Sequence, residues 1–108
     1  MNIENMSLIG LKIKGIVSIS INKELIILFD NDTSLHFYDC IMYIDSGVVN
    51  GVLKSVKEYS GEMSFVTTLK GMNIDWDDYK FCYLNVGDEY PFSQQDKLRI
   101  AYKTVQLT

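Results

Sequence analysis

The chain has 108 residues, of which 47% are hydrophobic and 22% are charged. This composition is ordinary for a globular protein and too apolar for a disordered one, and the length predicts a single domain over residues 1–108. The net charge of −4 argues against direct nucleic-acid binding, which needs a cationic surface. Lys12 and Lys14 interrupt the one possible signal-peptide core, and the longest apolar run (25–29) is far short of the roughly 20 residues that cross a bilayer. We therefore expect a cytoplasmic protein with no membrane partner.

Apolar residues at every second position predict strands in the N-terminal half. Residues 11–21 alternate apolar and polar side chains, and Gly15 within them predicts a bend or bulge, because glycine weakens a regular strand. Tight turns separate this strand from apolar runs at 25–29 and 33–44, which predicts an antiparallel meander over 11–44. The predicted core residues are Leu11, Ile13, Val17, Ile27, Phe37 and Ile100.

The C-terminal half gives weaker local signals. Residues 48–58 place apolar side chains at helical spacing, but their valines and glycines disfavour a helix. We favour a strand at 51–59 and keep a short helix as the alternative. Further strands are predicted at 64–69, 79–86 and 98–107. Seven short strands and at most one short helix predict an all-β, mainly antiparallel domain, built as a sandwich, a curved sheet or a small barrel.

The last predicted strand carries a basic stripe. Lys97, Arg99 and Lys103 share one face of this strand with Ala101. Such a stripe is typical of the solvated face of an edge strand, where lysine discourages unwanted strand pairing.

Side chains suited to catalysis are scarce. The single histidine, His36, lies within a predicted strand, where a structural role is more common than that of a general base. The sequence contains no Gly-x-Ser-x-Gly elbow and no glycine-rich phosphate loop. Cys40 and Cys82 fall in apolar, strand-like runs, which favours buried thiols over a disulfide or a nucleophile. We therefore expect no enzymatic activity.

Two aspartate-rich segments bear on metal binding. Residues 30–34 begin like a calcium loop, but Leu35 stands where that loop needs glycine and Ile41 where it needs glutamate. Asp75, Asp77 and Asp78 have no accompanying ligand pattern, and such a group more often forms a solvated turn. We expect neither a metal nor another cofactor.

The most distinctive segment, residues 75–92, is acidic and aromatic. It holds five acidic residues against one basic residue, together with the only tryptophan, Trp76, which lies between two aspartates and is therefore expected in a loop. Aromatic side chains offer rigid contact area, and carboxylates offer charge complementary to a basic partner. The alternative interpretation is that Phe81 and Tyr83 belong to the sheet and the acids only keep a loop soluble. The predicted partner-binding residues are Asp75, Trp76, Asp77, Asp78, Tyr79, Asp88 and Glu89.

With this segment and aspartate turns at Asp30, Asp32 and Asp45, the chain resembles the immunity proteins of bacterial contact-dependent growth-inhibition systems, particularly those that neutralise RNase-type toxins. The resemblance covers the whole chain in size, charge and layout. It implies a protein without enzymatic activity that binds its cognate toxin domain tightly and occludes the active site. A nuclease site is cationic because it binds phosphates, so an acidic inhibitor surface is its physical counterpart.

Two other functions stay open at this stage. One is a non-catalytic β-module that binds a small ligand or serves as a subunit of a larger assembly. The other is a small enzyme that relies on carboxylates such as Asp75, Asp77 or Asp78. A large toxin gene immediately upstream would favour the immunity protein over both.

Overall fold

The computed structural model describes residues 2–59, 63–87 and 96–108, with side chains from residue 66 onward in the helix that begins at Met63. Within these ranges, eight strands form two antiparallel four-stranded sheets, and the predicted all-β fold is confirmed. One short helix, α1 (Met63–Gly71), accompanies them. The strands are β1 (Ile13–Ile19), β2 (Glu24–Phe29), β3 (Ser34–Tyr38), β4 (Met42–Asp45), β5 (Ser55–Tyr59), β6 (Lys80–Asn85), β7 (Lys97–Tyr102) and β8 (Thr104–Leu107).

The first sheet has the order β1-β2-β3-β8, and the second has the order β4-β7-β6-β5. Strands β1, β2 and β3 form the predicted antiparallel meander. Strand β5 confirms the strand that we favoured within 51–59, and Val52 before it makes an isolated bridge to Lys12. Among the described residues, no helix is long and apolar enough to cross a bilayer, and α1 has only nine residues.

The predicted core is largely correct, with one exception caused by a bulge. Ile13, Ile27, Phe37 and Ile100 are completely buried, and Leu11 packs half-buried against the same cluster. Val17, however, is 41% exposed. The pairing of β1 with β2 shifts register between Ile13 and Gly15, at the glycine that predicted a bulge. The shift exchanges the faces of the residues that follow it, so Ile16 packs on the core in place of Val17.

Two segments predicted as single strands each divide between the sheets. The segment 33–44 breaks after Tyr38, where Asp39 has a left-handed backbone (φ 53°), and resumes as β4 in the second sheet. The segment 98–107 divides at Lys103, so that β7 belongs to the second sheet and β8 to the first. These crossings link the sheets, and Phe37 and Tyr102 meet between them with ring centroids 4.9 Å apart.

Both crossings lie at one end of the sandwich. Tyr102 and Thr104 flank Lys103, so they lie at one end, and Lys80 lies there too because it pairs with Tyr102. We call this the acidic end, because residues 75–79 lead directly into Lys80. The opposite end holds the turn between β2 and β3 and the last residue of β4.

The predicted strand at 64–69 is wrong, because these residues belong to α1. The sequence looks strand-like because Val66, Thr67 and Thr68 are β-branched or have high strand propensity. The helix ends in a Schellman motif: Asn73 has a left-handed backbone (φ 59°) and donates to Lys70, while the N–H of Ile74 donates to the carbonyl of Leu69.

Helix α1 covers the outer face of the second sheet. Leu69 is completely buried and packs with Phe81 of β6 and Ala101 of β7. Ile74 joins this cluster half-buried, which gives the Schellman motif its usual hydrophobic contact. The second sheet is therefore apolar on both faces at this point, one against the first sheet and one against α1.

The basic stripe does not form the predicted solvated edge. Strand β7 is an interior strand, paired with β4 on one side and β6 on the other. Lys97 is only 1% exposed, and its Nζ lies 5.9 Å from the centroid of the Tyr83 ring. Arg99 is half-buried, and only Lys103 of the three is exposed. The prediction failed because residue types alone do not reveal which strands lie on either side.

Candidate functional site

The described part of the predicted surface begins with a short 3-10 turn, Trp76–Asp78, which with its two flanking residues we call the acidic turn (75–79). Asp75 is the N-cap, and its Oδ1 accepts a hydrogen bond from the backbone N–H of Asp77 at 3.2 Å. Aspartate suits this position because its short side chain satisfies a backbone donor that the turn leaves open. The backbone N–H of Tyr79 donates to the carbonyl of Trp76 at 3.1 Å and closes the turn before β6.

The carboxylates of the acidic turn face solvent. Asp75, Asp77 and Asp78 are all exposed. None of them forms an ion pair with another residue of the ranges 2–59, 63–87 and 96–108. Two exposed lysines lie nearby, because Lys80 pairs with Tyr102 and Lys103 directly follows Tyr102. The surface is therefore mixed in charge, with an acidic excess at the turn itself. The carboxylates of Asp75, Asp77 and Asp78 are therefore accessible to a binding partner.

The aromatic side chains of the acidic turn are partly used within the protein. Trp76 and Tyr79 are half-buried and pack against the cluster that α1 forms with the second sheet. The Nζ of Lys103 lies 5.1 Å from the centroid of the Tyr79 ring, within the range of a cation–π contact. Trp76 therefore helps to hold the turn on the sheet, and only part of its ring can contact a partner.

The remaining predicted aspartates lie elsewhere. Asp30 and Asp32 belong to the turn at the opposite end of the sandwich, and Asp45 ends β4 near the same end. The carboxylate of Asp45 accepts hydrogen bonds from the backbone N–H groups of the two residues at 47 and 48, at 3.0 and 3.1 Å, which gives it a structural role. Asp88 and Glu89 lie outside the described residues.

The sequence did not predict a line of polar side chains that lies on the outer face of the first sheet. The Oγ of Ser34 lies 2.9 Å from Nε2 of His36, and Nδ1 of His36 lies 3.6 Å from Oε1 of Glu24. The order resembles a hydrolase triad, but 3.6 Å is too long for an orienting hydrogen bond. The backbone N–H of Ser34 donates to Thr108 in the sheet and is not directed at an oxyanion. We therefore interpret the line as a structural ladder.

The cysteines and carboxylates form no second chemical centre in the described residues. Cys82 is buried as predicted, whereas Cys40 is half-buried, and both are free thiols. Burial raises the pKa of the Cys40 thiol to about 11 and that of Cys82 well above its ordinary value. The reactive form of cysteine is the thiolate, so both thiols are unreactive at neutral pH. Nowhere in ranges 2–59, 63–87 and 96–108 do three His, Cys, Asp or Glu side chains gather as metal ligands would.

A groove of about 390 Å³ lies next to the acidic turn. Its walls come from the turn between β1 and β2, the segment joining β3 to β4, and the residues that follow α1. Ile74 lines the groove and directly precedes Asp75 in the chain, so the groove and the acidic turn meet at this residue. Because its walls come from three distant parts of the chain, no local sequence pattern could have indicated it.

Comparison with protein-family models found no family that matches the chain, and comparisons with curated protein sequences and with solved structures found no significant match. The resemblance to immunity proteins therefore stays a prediction.

Proposed function

We propose that the chain is an immunity-type inhibitor, which binds a cognate basic RNase-type toxin domain in the cytoplasm and occludes its active site without catalysing a reaction. One observation carries the proposal: Asp75, Asp77 and Asp78 are exposed together on one capped turn. Trp76 and Tyr79 supply the partly open aromatic contacts beside them. Asp88 and Glu89 stay in the proposed surface on sequence grounds alone.

Electrostatics supports this choice of partner. An RNase binds a polyanion and therefore presents cationic groups around its active site. Carboxylates held on a short hydrogen-bonded turn can meet those groups with little loss of conformational freedom on binding. Charge complementarity acts mainly on the rate of association, so raising the salt concentration should slow association more than it speeds dissociation.

Charge reversal at the acidic turn tests the proposal. The experiment first looks for a toxin gene immediately upstream of this chain's gene. The toxin domain that such a gene encodes is the probe, made catalytically inactive for binding and active for protection assays. The wild-type chain should bind it with nanomolar or tighter affinity and keep the RNA of toxin-expressing cells intact. Asp77→Lys combined with Asp78→Lys should weaken binding by on the order of 100-fold or more and abolish protection.

A matched control reverses two exposed aspartates at the opposite end, Asp30→Lys with Asp32→Lys. This control makes the same change in net charge, so it separates a local contact from a general electrostatic effect. It should retain protection, and circular dichroism should show that both double variants are folded. Full protection by the Asp77/Asp78 variant would overturn the proposed surface, and loss of protection in the control alone would move the interface to the opposite end. A wild-type chain that neither binds nor protects would overturn the proposed function.

A further inference from the structure

We propose that the groove beside the acidic turn is an anchor site, which receives one apolar side chain of the basic partner while flanking lysine or arginine residues of that partner meet the nearby carboxylates. The inference rests on the proposed function and specifies how the partner is recognised. It assigns the apolar anchor to the partner and places its receptor in this chain. The partly buried Trp76 then supports the surface and is not the main anchor.

The groove has a lining suited to an apolar side chain. Ile19, Ile41 and Ile74 contribute branched aliphatic surface, and Met42 and Met72 contribute flexible thioether side chains. Methionine adapts to the shape of what it contacts because it is unbranched and rotates about three bonds. The half-buried Cys40 adds a thiol that its raised pKa keeps neutral, so we expect non-covalent binding.

The rim of the groove indicates a protein as the occupant. Met72 is 57% exposed and Tyr43 is 39% exposed, and Ile21, which follows Ser20 of the groove wall, is 90% exposed. Large apolar side chains gathered around one groove are typical of an interaction surface. A small molecule inside the groove would contact Tyr43 and Met72 but leave Ile21, which lies outside the lining, in water, whereas a protein surface could cover all three side chains.

The charges around the groove favour a basic partner. Glu24 lies in its wall, with its carboxylate 3.6 Å from Nδ1 of His36, and Asp75 directly follows the lining residue Ile74 in the chain. The exposed Asp39 directly precedes the lining residue Cys40 in the chain, while Lys23 is the one cation among the described groove residues. An apolar anchor flanked by lysine or arginine would bury its side chain and place its cations against these carboxylates.

The first test places arginine on the rim. Ile21→Arg with Met72→Arg alters two exposed residues, so the fold should survive, but the variant should repel and sterically block a basic anchor segment. We expect binding to the inactivated toxin domain to weaken by about 30-fold or more. The matched control is Ile9→Arg with Val49→Arg, which adds the same charge at exposed apolar residues away from the acidic end and should change affinity less than about threefold.

The second test observes the groove directly by nuclear magnetic resonance of methyl-labelled methionine. The methyl signals of Met42 and Met72 should shift when the toxin domain is added, whereas that of Met6, buried outside the groove, should not. If the wild type binds but the rim variant binds equally well and these signals do not move, the anchor site is overturned and the proposed function stands. If the wild-type chain does not bind the toxin domain, both the anchor site and the proposed function are overturned. A small molecule retained by the purified chain in native mass spectrometry, and lost with the rim substitutions, would overturn the protein anchor in favour of a ligand site.

Discussion

At Gly15 the ladder between β1 and β2 gains an irregularity that changes which side chains face the core. Strict alternation from Ile13 onward would bury Val17, but the register shift turns Val17 outward and brings Ile16 against the core. Gly15 indicated that a bulge was possible. The sequence alone did not indicate how the bulge would change which side chains of β1 face the core. That effect depends on the pairing partner, because a bulge is a property of two strands.

Two valine-to-alanine substitutions test this assignment of faces. Val48 is completely buried in the core, and Val17 is 41% exposed on β1. Val48→Ala should lower the free energy of unfolding by about 2 kcal/mol, because it removes buried methyl groups and leaves a cavity. Val17→Ala should lower it by less than about 1 kcal/mol, which reflects strand propensity alone. If urea unfolding shows that Val48→Ala and Val17→Ala lower the free energy of unfolding equally, the assignment of faces is contradicted.

At the scale of an element, the helix α1 shows how tertiary structure overrides local propensity. Its β-branched residues favour a strand, and Gly71 is a poor helix former. In the structure the segment is a helix that ends in a Schellman motif, and Leu69 and Ile74 belong to the same apolar cluster. Asparagine two residues after a glycine was a usable signal for a helix end, because asparagine tolerates the left-handed backbone better than most residues.

Two substitutions at Asn73 test the helix end. Asn73→Ala should destabilise the protein by about 1 kcal/mol, because alanine resists the left-handed backbone that Asn73 adopts. Asn73→Gly should be neutral or slightly stabilising, since glycine adopts this backbone readily. Denaturant unfolding followed by circular dichroism measures both. An alanine variant as stable as the glycine variant would contradict the Schellman motif.

The elements recognised from sequence were those with local signals. The meander followed from alternating apolar residues and from turns, and β5 followed from valines and glycines that disfavour a helix. The crossings after Tyr38 and at Lys103 could not be predicted. A short break between two apolar runs does not indicate whether the chain stays in one sheet or passes to the other. For the same reason, the sequence indicated the acidic turn but not the groove, since only the turn is continuous in the chain.

At the scale of the whole molecule, the sandwich separates Cys82 and Tyr102 from its candidate interface, whereas Cys40 lines the groove. Cys82 and Tyr102 belong to the core between the sheets, and Cys40 packs half-buried at its margin. The acidic turn and the groove lie at the outer surface of the acidic end. Solvent conditions that titrate the core can therefore change stability without changing the carboxylates that the proposed partner contacts.

The buried thiols predict a loss of stability at alkaline pH. Burial raises the pKa of Cys40 to about 11 and that of Cys82 well above its ordinary value, and burial also raises the pKa of Tyr102. An unfolded thiol has a pKa of about 8.5, so between that pH and the folded pKa the unfolded chain loses protons that the folded chain keeps. Unfolding then releases protons, and its free energy falls as pH rises.

The expected slope is largest for the completely buried thiol. Above about pH 8.5, Cys82 should lower the free energy of unfolding by up to about 1.4 kcal/mol per pH unit. Cys40 is partly open to water, so its contribution should be smaller. In urea unfolding from pH 7 to pH 10, the free energy of unfolding of the wild-type chain should be constant at first and then decrease. For Cys82→Ala it should decrease less steeply with pH, even if this variant is less stable at pH 7. A wild-type chain whose stability stays level to pH 10, or a Cys82→Ala variant with an unchanged slope, would contradict this account. The alanine variant isolates the thiol because it keeps every lysine and tyrosine that titrates in the same range.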